Sequence, residues 1–245
     1  MGMAGAGKWI LAGSAVLVLA VGGELLWLHH RNVEDAKTVD TRPDYKADPD
    51  DLVALKHEHP MVFKDEKDLK GRTLWVSAGG QMDYYPFSGG KVNLAKSEGV
   101  LLGAEPILIK DAVEQSEPAK DALRIPLGDK QVWLVFTKPG SPQEYATQVG
   151  YKKDGDYTFL TDDIYFYEDP HQSFSYWGPE VWKAIDAHVA QPGMSERQVQ
   201  MALGQVSEPH GDKVGDRTVT FDDQGHRKNV TFRNGKATKV EDVTQ

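Results

Sequence analysis

The chain contains no cysteine. That excludes disulfide frameworks, thiolate metal sites, thiol catalysis and anchoring through a lipidated cysteine. Basic residues are also outnumbered: 28 Lys and Arg stand against 37 Asp and Glu, a net charge of −9. With no basic face to displace counterions from phosphates, the balance argues against a nucleic-acid partner. No G-x-S-x-G elbow, H-E-x-x-H helix or dinucleotide fingerprint occurs, so motifs assign no catalytic residue, metal set or cofactor. Residues 2–8 (GMAGAGK) mimic a phosphate-binding loop, but no strand precedes them and Trp9 replaces the metal-binding hydroxyl.

Long apolar runs are absent except for one, Trp9 to Leu28, whose only charge is Glu24. As a helix this run is about 30 Å long, the thickness of a hydrocarbon core. Two readings fit it. A cleaved export signal has Lys8 as its basic region and small residues at Ala20-Val21-Gly22. An uncleaved transmembrane helix has Trp9 and Trp27 at the two interfaces, with Glu24 reaching outward. The anchor explains why Leu25-Leu26-Trp27-Leu28 would not be left bare in water, and is the reading favoured. Arg31, Lys37, Arg42 and Lys46 follow the run and favour keeping that side in the cytoplasm, whereas the short basic start has the layout of an export signal. The expected location is the inner membrane, single-pass, with the remaining region periplasmic.

Four segments follow: 1–31 as anchor or signal, 32–60 as acidic tether with a short helix at 52–55, 61–178 as a β-rich domain, and 179–245 as an α/β module. The expected fold is α+β, with the N-terminal transmembrane helix and a central antiparallel β barrel or sandwich. A C-terminal module of two helices and a three-stranded antiparallel sheet completes it. In the centre, segments such as Thr73–Ser77, Gln131–Thr137, Tyr145–Tyr151 and Ile164–Tyr167 are short and rich in β-branched and aromatic residues. Gly128-Asp129-Lys130 and Lys153-Asp154-Gly155-Asp156 read as hairpin loops. Towards the C-terminus, Pro179 suits a first helical position. Ser195 with Gln198 forms a capping box, and Met194 with Val199 a hydrophobic staple. Asn234-Gly235 marks a hairpin. Phe232 and Val240 share a face only if a bulge lies between them.

Gly193-Met194-Ser195, Val199, Leu203-Gly204 and Phe232-Arg233-Asn234-Gly235-Lys236, in this element order, resemble the SmpA/OmlA (BamE-like) family of cell-envelope modules. The resemblance covers about residues 180–243. It implies a two-layer α/β fold and a role in binding envelope proteins during outer-membrane assembly. Family members of the assembly complex are lipoproteins, which this chain cannot be, and the proline after Leu-Gly comes late, at Pro209. Gly71–Val76, Tyr84-Tyr85-Pro86 and Gly99-Val100-Leu101 are similar to bacterial SH3-type barrels, which bind peptides or wall fragments.

The densest functional-looking segment is Thr161–Trp177. Its aromatics Tyr165, Tyr167, Phe174, Tyr176 and Trp177 suit the wall of a binding groove, with an exposed sheet edge as the other candidate surface. Its Asp163, Glu168, Asp169 and His171 suit metal-assisted hydrolysis if they converge, although carboxylates in turns are usually solvated. His57 and His59 abut Pro60 and read as an exposed chain end. The sequence therefore favours a non-enzymatic, membrane-tethered protein that binds another envelope protein or a wall component.

Overall fold

The computed structural model describes residues 49–77, 82–95, 97–116, 124–223 and 225–243. The apolar run at 9–28 lies outside them, as does most of the tether. Among the described residues no helix is long and apolar enough to cross a membrane. Leu52–Gln245 form one compact unit.

After a 3-10 turn at Pro49–Leu52, where a helix at 52–55 was expected, an extended strap leads into α1 (Phe63–Lys67). Then come β1 (Thr73–Val76), β2 (Asp83–Ser88), β3 (Lys91–Val92), β4 (Gly99–Val100), β5 (Pro106–Gln115), β6 (Lys130–Thr137), β7 (Glu144–Lys153) and β8 (Asp156–Phe159). One turn of helix, α2 (Thr161–Ile164), precedes β9 (Tyr165–Phe166), and α3 (Pro170–Ser173) follows. The last part comprises α4 (Pro179–Asp186), α5 (Glu196–Leu203), β10 (Ser207–His210), β11 (Thr218–Asp223), β12 (His226–Arg233) and β13 (Lys236–Asp242).

The expected fold class needs correction. The chain is mostly β, and strands β1–β9 make one sheet in the order β3-β2-β7-β6-β5-β1-β9, with β4 on β2 and β8 on β7. Among the described residues its two ends do not pair, so it is neither a closed barrel nor a sandwich of two sheets. Strand β6 shows how one sheet can carry so many apolar residues. Val132, Leu134 and Phe136 point into one core, Trp133 and Val135 into a smaller one on the opposite face, and all five are buried.

The C-terminal sheet has four strands rather than three, in the order β10-β11-β12-β13. The extra strand, Ser-Glu-Pro-His, has little strand propensity of its own and is held by pairing with β11 from Ser207↔Phe221 to His210↔Thr218. α5 begins at the foreseen capping box: Ser195 Oγ accepts from Gln198 N at 3.2 Å and Gln198 Oε1 accepts from Ser195 N at 2.7 Å. The bulge between Phe232 and Val240 is present. Thr231 pairs with Lys239 but Phe232 with Ala237, leaving Thr238 as the extra residue, its hydroxyl donating to Thr231 O at 3.0 Å.

Gly128-Asp129-Lys130 does not close a hairpin. It braces the β7–β8 hairpin instead: Asp129 N donates to Lys152 O at 2.7 Å, and Asp129 Oδ2 accepts from Asp154 N at 2.9 Å.

Candidate functional site

The segment 165–167 lies where the two cores meet. Alternation sends Tyr165 and Tyr167 into the core of the large sheet and Phe166 toward the core that α4 and α5 share with the C-terminal sheet. Phe174 and Trp177 belong to that second core, where they stack at 4.6 Å, with Trp177 on Trp182 at 5.1 Å. Trp182 Nε1 donates to Phe174 O at 3.1 Å. Of the five aromatics expected to wall a groove, Tyr165, Tyr167, Phe174 and Trp177 are buried, and only Tyr176 is exposed. Their density reflects two cores built from one short stretch.

The acids and histidine of the same segment do not converge. His171 is clamped between carboxylates, Nδ1 at 2.8 Å from Asp169 and Nε2 at 3.0 Å from Asp186, and its ring lies 4.2 Å from Trp182. Burial works to lower its pKa, but the two carboxylates raise it above the ordinary value. Asp163 and Glu168 take no part in this clamp. Among the described residues no group of three or more His, Asp or Glu could hold a metal ion.

A cleft does form beside α2. One cavity of about 480 Å³ is lined by Met82, Ile125, Leu160 and Ile164, with Ser77, Arg124, Asp163 and Gln205 as its polar groups. A second, about 300 Å³, adjoins it through Ser77, Asp163 and Gln205, and is walled by Leu55–His57 of the strap, by Tyr165 and Phe166, and by Arg197, Gln200 and Met201. Size and lining suit an organic ligand or the side chains of a bound segment. Local structure explains the placement. Ser77 N and Oγ donate to Ile164 O and Asp163 O, both at 2.8 Å, fixing α2 across the end of β1.

Asp162 and Asp163 are neighbours with opposite roles. Asp162 accepts from Tyr167 Oη at 2.7 Å, from Glu58 N at 3.2 Å and from His59 N at 2.9 Å, and His57 and His59 Nδ1 lie 3.8 and 3.3 Å from it. Burial works to raise its pKa, yet these bonds and the His57 charge hold it below the ordinary carboxylate value. The strap is therefore a docked segment, on which His57 and His59 are exposed. Asp163 is exposed, faces both cavities, and makes no side-chain hydrogen bond or ion pair among the described residues.

The basic groups around the cleft are already engaged. Arg124 Nε donates to Asp83 at 2.9 Å, Lys56 Nζ sits 2.9 Å from Glu58, and the Arg197 guanidinium lies over the Phe174 ring at 5.6 Å. Sequence reasoning missed Ser77, Arg124, Gln205 and the strap, since no motif connects them. The one signal in the sequence is the Asp162-Asp163 pair at a turn, where carboxylates are usually solvated. No family model matches the chain, and no curated protein and no solved structure matches it either.

Proposed function

We propose that this chain is a non-enzymatic binding protein of the cell envelope, held at a membrane by its apolar run at 9–28. In this reading its cleft takes an extended segment of a partner protein carrying an apolar residue next to a Lys or Arg. The envelope setting is supported by the apolar run, the acidic tether and the BamE-like pattern of residues 180–243. The observation that carries the site is the charge left over in the cleft: Arg124, Lys56 and Arg197 have partners, and Asp163 has none among the described residues. Next to it lie Met82, Ile125, Leu160 and Ile164, an apolar floor for a neighbouring side chain.

Strand addition is disfavoured at three of the sheet edges, β3, β10 and β13. The Gln115 amide caps β3 by accepting from Val92 N at 2.8 Å and donating to Val92 O at 3.1 Å. Pro209 interrupts β10, and Ala237 of β13 already pairs with Gly193 and Met194.

The test is calorimetric titration of the purified chain with acetylated pentapeptides that differ only in the residue after a central Leu. The reading expects Lys to bind a few-fold tighter than Ala, and Ala tighter than Glu, as suits an exposed ion pair worth about 0.2–1 kcal/mol. Equal affinities for the three, or no binding, would remove it.

A further inference from the structure

Glu66 on α1 is a fully buried carboxyl. Its Oε1 accepts from the Thr161 hydroxyl, and its Oε2 has no partner among the described residues. The charged groups that act on it are acids: Asp162 of α2, Asp65 on its own helix and Glu58 of the strap. Burial above all, and Glu66 to a lesser degree, disfavour ionisation of the hydroxyls of Tyr165 and Tyr167. Directly before α1 runs the strap that walls the second cavity. It is tied down by Asp162 and by the Arg72 pair with Glu58 (2.7 and 2.8 Å), and it passes through His59 at φ 50°, in the left-handed region that histidine enters more readily than most residues.

We infer that residues 55–69 form a proton-dependent latch on the cleft: with Glu66 neutral α1 stays seated, and with Glu66 ionised α1 and the strap wall loosen and admit the ligand. This rests on the reading of the cleft as the binding site. The geometry supplies the reason. A carboxylate sealed from water with one bare oxygen has only the Thr161 hydroxyl to replace its hydration, whereas the neutral acid has little to replace.

Burial pushes Glu66 from its ordinary 4.5 up to about 7; the Thr161 bond opposes this and the three acids add to it. The sign follows. Because the seated value is raised, seating is fully favoured below about pH 4.5, weakens as pH rises, and has lost its contribution once pH exceeds about 7. Across that window the seating equilibrium falls by roughly two orders of magnitude.

Because the chain has no cysteine, Met61→Cys at an exposed strap position takes a single environment-sensitive dye. The labelled full-length chain is titrated from pH 4 to 8.5 without peptide, so the readout does not depend on the cleft binding anything. A transition centred between about pH 4.5 and 7 is expected, absent with Glu66→Gln added. Thr161→Val, which removes a bond favouring the ionised form, makes the loss of seating at high pH more complete. If Glu66→Gln fails to fold by circular dichroism, the high-pH amplitude of Thr161→Val decides. No transition in the labelled parent, an unchanged one with Glu66→Gln, or a high-pH amplitude no larger with Thr161→Val would overturn the latch. Failure of the peptide titrations with the transition intact would count against the cleft reading and leave the latch standing.

Discussion

Gly128→Ala is expected to destabilise the protein and weaken the cleft together. A Cβ built at Gly128 lies 2.2 Å from the Lys152 carbonyl oxygen and 2.9 Å from its carbon, both backbone atoms that no rotamer change can move aside. Ordinary contact needs roughly 1 Å more, so the Asp129 and Lys152 backbones must separate, stretching their 2.7 Å hydrogen bond. Overpacking of this kind costs about 1–3 kcal/mol, and in a chain of this size about 2–4 °C of melting temperature per kcal/mol. The brace also positions the cleft, since Ile125 precedes it and Leu160 follows the β7–β8 hairpin, and both line the larger cavity. Differential scanning calorimetry should show a fall of about 4–8 °C, with a several-fold loss in peptide affinity. Gly140→Ala is the comparison: its φ is +76° and nothing lies within 4 Å, so only the left-handed backbone is penalised, by about 1 kcal/mol. If Gly128→Ala costs no more than Gly140→Ala, or leaves peptide affinity unchanged, the reasoning about the brace is wrong.

Other perturbations test separate parts of the structure. Trp182→Phe removes one of the two hydrogen bonds that the Phe174 carbonyl accepts, the other coming from Trp177 N, and should lower stability by about 0.5–1.5 kcal/mol in urea unfolding. Deleting Thr238 removes the bulge and turns Val240 away from the core, a register error expected to cost about 1–3 kcal/mol by the same assay. Since His171 has a raised pKa in the folded state, its contribution is complete below the ordinary value of 6.5 and is lost as pH rises through the folded value. NMR titration of its imidazole should therefore show a pKa above 6.5, moving down in Asp186→Asn.

Local chemistry was legible where a short motif decides the backbone by itself. The Ser195–Gln198 box, the Pro179 start and the Asn234-Gly235 turn act within four residues, and the β13 bulge follows from the two-residue alternation of a strand. What escaped was held by distant partners. The strap and α1 depend on Asp162 and Thr161, far along the chain. β10 exists because β11 pairs with it, against the preference of Pro209. Alternation in Ile164–Tyr167 suggested a strand, and Tyr165–Phe166 forms one, but the Leu160 carbonyl captures Ile164 into α2 at 3.0 Å. The candidate site was least legible of all. Its carboxylate, Asp163, differs from Asp162 only in the direction the α2 turn gives it. Aromatics that looked ready for a ligand were needed for two cores.

The central claim is that the charge of Asp163, unpaired among the described residues, selects the ligand, and a charge swap tests it most directly. Calorimetry on the wild type and Asp163→Lys, each with the Leu-Lys and Leu-Glu pentapeptides, gives four affinities and one coupling energy. The account expects the wild type to favour Lys and Asp163→Lys to favour Glu, each by a few-fold. The same preference in both proteins would contradict it.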